Sequence, residues 1–216
     1  MPIFYQHDLS EHTRLAIWKI EEDENFFLEF VPLQRSITHP HKRLQHLAGR
    51  YLLTHLFPQF PINPIQIADT RKPFLRDEVY HFSISHCGDY AAAVVSATER
   101  VGIDIEITSP KILKIAHKFL HCEERQMLRS CCTDLTGTDK EYVNIVTLLW
   151  SAKEAMFKWW GGGGVDFSEM LRVSGSLQQE EGLLSGRFIK HPLNVLLQIQ
   201  YKKFEELNLA WVQSAP

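Results

Sequence analysis

The chain contains the stretch VGIDIE at residues 101–106, in which aliphatic residues alternate with a glycine and two acids. Alternation with a period of two is typical of a β-strand, because successive side chains point to opposite faces. One face would therefore carry Gly102, Asp104 and Glu106. Two acids on one face most often form the solvent side of a half-buried strand. The glycine beside them favours a ligand site instead, because it lets a ligand approach the backbone closely.

A second stretch, WSAKEAMFK at residues 150–158, predicts a helix that ends at the glycine run 161–164. Two interpretations of Glu154 are open. Ser151 and Glu154 have the spacing of a capping box, in which Glu154 would cap the start of a helix at Ser151. Alternatively, Glu154 is a third functional carboxylate, with Lys158 close to it. Lys158 could also form an ordinary helix-surface ion pair with Glu154, four residues before it.

Three carboxylates beside lysines suit a magnesium-bound pyrophosphate. The metal ion takes carboxylate and phosphate oxygens together, and ammonium groups neutralise the remaining phosphate charge. The two stretches therefore predict a site for Mg²⁺, and Mn²⁺ would suit the same oxygen ligands.

Other basic and polar residues form two further candidate groups. Lys72 opens a predicted turn, and Ser85 and His86 lie where a predicted strand ends and enters a turn, at which side chains can meet a phosphate. Arg43 and Arg50 share one face of a predicted helix that opens at Pro40, and His46 lies on the same face. The plainer interpretations are a histidine satisfied in the core and a solvated basic helix face.

The bulk composition is that of an ordinary globular protein of 216 residues, with 44% hydrophobic residues and a net charge of −3. This charge argues against nucleic acid and anionic membranes as partners. No apolar run approaches the ~20 residues that a membrane span needs. The first residues lack the pattern of a signal peptide, and the four cysteines form no CxxC pair. We expect a cytoplasmic protein with free thiols.

The predicted elements repeat in similar order in the two halves of the chain. Helices are expected from Pro40 to about Leu56, over 112–129 and over 143–160, the last in one or two pieces. Strands are expected around them, including 81–85 and 90–95. This pattern predicts an α+β fold of two related subdomains, residues 1–99 and 100–216, with a ligand site between them.

These segments resemble the 4′-phosphopantetheinyl transferases, specifically their larger, monomeric type that activates surfactin synthetase. The family signature is a Gly-Asp-Glu strand followed by a Trp-Ser-x-Lys-Glu-x-x-x-Lys helix, and residues 102–106 and 150–158 are similar to it. Shorter similarities to the family's other motifs lie at 71–73, 82–86 and 118–124.

The resemblance implies a pseudo-dimer of two similar α+β subdomains, with coenzyme A bound in the cleft between them. It implies transfer of the phosphopantetheine arm of coenzyme A to a serine of an acidic apo acyl or peptidyl carrier protein, as in a holo-[acyl-carrier-protein] synthase. The carrier itself stays open. The alternatives are a non-catalytic coenzyme A-binding module of the same fold and an unrelated magnesium-dependent phosphoryl or nucleotidyl transferase.

The resemblance also implies roles for single residues. Asp104, Glu106 and Glu154 would hold the metal ion, with Glu124 as a weaker candidate. Glu154 would serve as the base for the carrier serine, and Lys158 would contact the pyrophosphate.

Lys153 would lie near the pyrophosphate as well. Another phosphate of the nucleotide would be bound by Lys72, Ser85 and His86, with Arg43, His46 and Arg50 assisting. One departure stands out, because the family's Gly-Lys-Gly becomes the glycine run 161–164 and so lacks its lysine.

Overall fold

The computed structural model describes residues 3–34, 36–131 and 139–215. The chain divides into two compact units, which we call unit 1 (residues 1–103 with 214–216) and unit 2 (residues 104–213). Among the cysteines, Cys87 and Cys122 carry free thiols. The side chains of Cys131 and Cys132 lie outside the described part of the chain.

Unit 1 contains two helices and most of the N-terminal strands. The helices are α1 (Glu24–Leu28) and α2 (Pro40–Leu56). The strands are β1 (Ile3–Asp8), β2 (Thr13–Lys19), β3 (Gln66–Ile67), β4 (Pro73–Phe74), β5 (His81–Cys87) and β6 (Tyr90–Ser96), and β7 (Arg100–Ile107) begins here and continues into unit 2.

The core of unit 1 lies between α2 and an antiparallel sheet in the order β1-β2-β6-β5. Leu47, Leu52 and Leu53 of α2 are fully buried against it, and each such leucine contributes roughly 1.5–3 kcal/mol by its burial. Gly49 allows the close approach, because a Cβ atom there would lie 2.6 Å from Cγ2 of Ile84 on β5. The predicted helix from Pro40 to Leu56 is confirmed.

Unit 2 is built from a five-stranded sheet in the order β7-β11-β10-β9-β8 and the long helix α5. Its helices are a 3-10 helix (Pro110–Lys114), α3 (Ala116–Phe119), α4 (Cys122–Cys131) and α5 (Lys140–Trp160). Its further strands are β8 (Leu171–Ser174), β9 (Glu181–Lys190), β10 (Leu193–Lys203) and β11 (Leu207–Ser214).

The predicted helix over 112–129 is wrong, because this segment forms three short helices. Leu120 takes an extended backbone conformation with ψ near 121°, which ends α3. The carboxylate of Glu124 then accepts a hydrogen bond from the backbone N–H of His121 at 2.8 Å and caps the start of α4. A new helix therefore begins where a continuous one is expected.

The helix α5 is a single element that ends at Gly161, whose φ of 73° is the left-handed conformation that favours glycine. Its apolar side packs on the sheet of unit 2, with Ile145, Leu149 and Met156 fully buried. Each unit thus packs a long helix on a sheet, which confirms the predicted α+β class. Among the described residues, no helix combines the length and apolarity that crossing a membrane requires.

Candidate active site

Strand β7 carries Asp104 and Glu106 on the same face, as its alternation predicts. Asp104 is 2% exposed and Glu106 is half-buried. The interpretation of this face as the ordinary solvent side of a strand is therefore wrong for Asp104. A buried carboxylate needs a compensating charge or hydrogen bonds.

One stripe of α5 supplies these partners. Trp150, Glu154 and Lys158 follow each other at intervals of four residues and so share a helix face. Lys158 Nζ donates to Oδ1 of Asp104 at 2.7 Å, and Trp150 Nε1 donates to Oε1 of Glu106 at 3.2 Å. Since its two neighbours on the stripe contact the two strand acids, Glu154 lies on the part of the helix between those contacts.

The capping interpretation of Glu154 is wrong. A capping box needs Ser151 at the start of a helix, whereas α5 begins eleven positions earlier, at Lys140, and Ser151 is fully buried within it. Glu154 therefore has no capping role.

Electrostatics links Glu154 to both strand acids. Burial, followed by the charges of Asp104 and Glu106, raises the pKa of Glu154 to about 7, and the ammonium of Lys158 opposes the shift. The face of α5 and β7 thus gathers three carboxylates whose repulsion one lysine only partly offsets.

This donor set fits a hard divalent cation, since Mg²⁺ prefers carboxylate oxygens and the repulsion felt by Glu154 would be relieved by positive charge. In the described part of the chain, no group of three or more His, Cys, Asp or Glu side chains is arranged to hold a metal ion. Lys158 and Trp150 instead occupy one oxygen each of Asp104 and Glu106. Lys158 thus supplies the positive charge in this arrangement.

Lys153 and Glu124 do not join this group. Lys153 is fully buried, and its ammonium contacts Oε2 of Glu124 at 2.6 Å and the carbonyl oxygens of Phe119 and Phe167 at 2.5 and 2.9 Å. Glu124 is 2% exposed and also accepts from the backbone N–H of Val173 at 2.9 Å. The predicted phosphate contact of Lys153 and the predicted metal role of Glu124 are corrected to an internal ion pair that joins α4, α5 and β8.

Unit 1 gathers positive charge around Lys72. Burial and the nearby charge of Arg100 lower the pKa of Lys72 to about 8. The charges of Arg100 and Lys72 also lower the pKa of His81, where burial makes the largest contribution. Cations this close together favour an anion. Arg100 was not predicted from the sequence, since the residue before an apolar strand carries no special signal.

The other two predicted members of this group lie on β5. Ser85 is 5% exposed and His86 is exposed, and as neighbours in a strand they face opposite sides of the sheet. Ser85 shares its face with His81, which senses the charge of Lys72. Ser85 and His86 therefore lie on opposite faces of β5, with Ser85 on the face of His81.

Arg43 and Arg50 are engaged within unit 1. Arg43 Nε donates to both carboxylate oxygens of Glu24 at 2.7 Å, and its Nη1 donates to the carbonyl oxygen of Ile37 at 2.9 Å. Arg50 is 6% exposed and donates to Oε1 of Gln34 and Nδ1 of His46. These bonds hold both guanidinium groups within unit 1, and the phosphate contacts of Arg43 and Arg50 stay predictions.

An aromatic cavity of about 350 Å³ adjoins Trp150. Phe119 and Phe167 flank the indole, with ring centroids 5.0 and 5.4 Å away, and Ile115 and Lys118 also line the cavity. The aromatic residues are evident in the sequence, but only the fold brings the rings of Phe119, Trp150 and Phe167 together.

The glycine run 161–164 receives a lysine from elsewhere in unit 2. Lys190 of β9 donates to the carbonyl oxygen of Gly163, and its ammonium lies 5.5 Å from the centroid of the Trp160 ring. The run itself contains no lysine, but the ammonium group of Lys190 contacts it from β9.

Two family profiles cover most of the chain. The profile of the 4′-phosphopantetheinyl transferase superfamily matches residues 100–212, and that of the 4′-phosphopantetheinyl transferase N-terminal domain matches residues 33–96.

Individual relatives agree with these profiles. Enterobactin synthase component D of Salmonella typhi is 32% identical over 120 residues, which are 54% of this chain and 47% of that protein. The 4′-phosphopantetheinyl transferase psf-1 of Bacillus pumilus is 34% identical over 124 residues, 54% of this chain and 50% of that protein. The chain thus matches about half the length of these curated relatives. The profile match over more than half of the chain shows that it belongs to the 4′-phosphopantetheinyl transferase superfamily.

Proposed function

We propose that this protein transfers the 4′-phosphopantetheine group of coenzyme A to a serine hydroxyl of an apo carrier protein. The observation that carries the proposal is the convergence of Asp104, Glu106 and Glu154 with Lys158 on one face of unit 2. In this reaction the serine oxygen bonds to the phosphorus next to the pantetheine arm. The pyrophosphate P–O bond breaks, and adenosine 3′,5′-bisphosphate leaves.

The three carboxylates would hold a divalent cation, for which we propose Mg²⁺. When bound, the ion supplies charge stabilisation on the pyrophosphate and fixes its orientation. Asp104 and Glu106 are set rigidly for this purpose, because both stand on a strand and each is already held by a partner from α5. Lys158, whose ammonium lies at Asp104, would contact the pyrophosphate.

Glu154 would take the proton of the attacking serine. In the metal-free protein the pKa of Glu154 is about 7, and a bound cation would lower it and keep the carboxylate ionised. The serine proton would pass to the carboxylate of Glu154.

The cations of unit 1 would bind a phosphate of the nucleotide. Lys72 and Arg100 provide two positive charges close together, and Ser85 provides a hydroxyl on the face of β5 that also carries His81. His86, exposed near the end of β5, would be a further contact of that phosphate.

We propose an acidic acyl or peptidyl carrier protein as the second substrate, as for a holo-[acyl-carrier-protein] synthase that acts as a cytoplasmic monomer. The family membership supports carrier modification in general. Exposed basic residues of unit 2 support an acidic partner, among them Lys111, Lys114 and Lys118.

The release of adenosine 3′,5′-bisphosphate tests the proposal. The protein, coenzyme A, Mg²⁺ and an apo carrier protein are incubated, and the nucleotide is quantified by chromatography. We expect release that stops with EDTA and in Asp104→Asn, while Lys19→Gln, a change at an exposed lysine of unit 1, keeps most of it. Release that continues unchanged with EDTA or in Asp104→Asn would contradict the metal site. Coenzyme A binding without release, with any carrier of a broad panel, would indicate a binding module.

A further inference from the structure

A second cavity of about 430 Å³ lies in unit 2 and includes none of the three acids of the candidate active site. Helix α4 contributes Met127, and the strands β8, β9 and β10 contribute most of the remaining lining. Its polar lining includes two arginines and two serines beside two glutamates of α4, and its apolar lining includes an exposed leucine: Arg172, Arg187, Ser174, Ser185 and Leu196. We call it the β8–β9 cavity.

The two arginines stand directly opposite each other. Arg172 on β8 and Arg187 on β9 are cross-strand partners, and Leu196 on β10 is the partner of Arg187 on the other side. Cross-strand partners carry their side chains on the same face with Cβ atoms roughly 4.5–5.5 Å apart, and like charges there repel each other. The like charges of the two arginines therefore disfavour each other, and an anion between them would relieve the repulsion.

The hydrogen bonding of Arg172 is incomplete. Its Nε donates to the carbonyl oxygen of Glu169 at 3.0 Å, and its Nη2 donates to a carboxylate oxygen of the same residue at 3.2 Å. Its Nη1 is buried and donates to no acceptor among the described residues. Burial also lowers the pKa of Arg172. A buried guanidinium nitrogen of this kind calls for an acceptor.

The acids that line the cavity do not meet this need. Glu124 is engaged by Lys153 at 2.6 Å within the interior. Glu123 is 80% exposed, so that solvent screens its charge, and it pairs with His121 at 3.5 Å when the imidazole is protonated. Glu169 is 63% exposed and already occupies two nitrogens of Arg172.

We propose that the β8–β9 cavity binds a small molecule that carries a carboxylate or phosphate group and a short apolar portion. The anionic group would accept from Arg172 and Arg187, the serine hydroxyls would complete its hydrogen bonds, and Met127 and Leu196 would contact the apolar portion. The volume falls within the range of small-molecule sites, about 300–1,000 Å³. This inference does not depend on the transferase activity.

Chemical-shift titration of the full-length, ¹⁵N-labelled protein tests the proposal. The probes are hexanoate and hexyl phosphate, with hexylammonium as the control of opposite charge. We expect saturable shifts of the backbone amides of Val173, Ser174 and Ser185 with at least one anion, and none with hexylammonium. The ratio of the two affinities then tells whether the site prefers a carboxylate or a phosphate.

Variants locate the binding. Arg172→Gln should weaken it on the order of tenfold, and Arg187→Gln, at an exposed position that tolerates change, should weaken it less. The matched control Arg76→Gln, an exposed arginine of unit 1, should leave it unchanged. Absence of shifts at these amides with both anions would overturn the proposal. Equal binding by Arg187→Gln and Arg76→Gln would do so as well, even if Arg172→Gln failed to fold.

Discussion

Glu154 occupies a position where its own charge is unfavourable. The carboxylate is largely removed from water and lies near two other acids, which raises its pKa to about 7, and Lys158 offsets only part of the repulsion. Such a placement costs stability and is typical of functional sites. The same unfavourable charge is what a divalent cation would relieve.

We therefore expect Glu154→Gln to stabilise the protein at pH 8 while it abolishes transfer. Removal of the repulsion should raise the free energy of unfolding by about 1–2 kcal/mol, which corresponds to roughly 2–8 °C in melting temperature. Mg²⁺ should raise the melting temperature of the unmodified protein and have little effect on the variant. Calorimetry in Mg²⁺ and in EDTA measures both effects, and a variant that melts lower than the parent would contradict this account of Glu154.

Protonation of Lys72 should make the affinity for the nucleotide depend on pH. Only the ammonium form attracts phosphate, and burial with the charge of Arg100 lowers its pKa to about 8. The affinity for adenosine 3′,5′-bisphosphate should therefore be full below this pH and fall as the pH rises through it. Isothermal titration at pH 7 and pH 9.5 measures the change.

The matched variants for this test are Lys72→Ala and Lys19→Ala. Lys19 is an exposed lysine of the same unit, whose pairing with Glu21 raises its pKa. Lys72→Ala should bind weakly at both pH values, whereas Lys19→Ala should keep the full pH dependence. A Lys72→Ala protein that retains the pH dependence would assign it to another group.

At the scale of elements, the continuity of α5 decides between two interpretations that the sequence leaves open. The spacing of Ser151 and Glu154 fits both a helix start and a helix interior, because a capping box differs from ordinary helix sequence only by its position. The fold places both residues mid-helix. The local pattern therefore could not decide, whereas the alternation of β7 was sufficient to put Asp104 and Glu106 on one face.

The break between α3 and α4 depends on contacts that the local sequence does not contain. His121 is an uncommon cap residue, so the acids Glu123 and Glu124 of the first turn are the main signal of a new helix there. The cap comes from Glu124, which is held in place by Lys153 of α5 and the backbone of β8. These partners are distant in sequence, and a local pattern does not contain them.

The ion pair of Lys153 and Glu124 should matter for stability more than for chemistry. Lys153→Ala leaves a buried carboxylate uncompensated and should lower the free energy of unfolding by about 3–5 kcal/mol. The double variant Lys153→Met with Glu124→Gln removes both charges and should recover part of this loss. Urea denaturation measures the stabilities. A double variant that folds stably but no longer binds coenzyme A would instead indicate that Lys153 contacts a phosphate, as expected from the sequence.

At the scale of the whole molecule, the sequence predicted the α+β class and the acids, lysine and tryptophan that converge in unit 2. It did not predict how basic residues divide between binding and structure. Arg43 and Arg50 have the charge that a phosphate ligand needs and share one face of the predicted helix. In the structure, Arg43 donates to Glu24 and Arg50 donates to Gln34. Only the fold shows that Arg100 lies close enough to Lys72 to lower its pKa.

Intact mass spectrometry of an apo carrier protein can show whether the acid cluster of unit 2 serves phosphopantetheine transfer. The carrier is incubated with this protein, coenzyme A and Mg²⁺, and in parallel with Glu154→Gln, whose fold is checked by its melting temperature. We predict that the carrier gains the mass of one phosphopantetheine with the unmodified protein and none with the variant. An equal gain with the folded variant, or no gain on any acyl or peptidyl carrier despite bound coenzyme A, would contradict the claim.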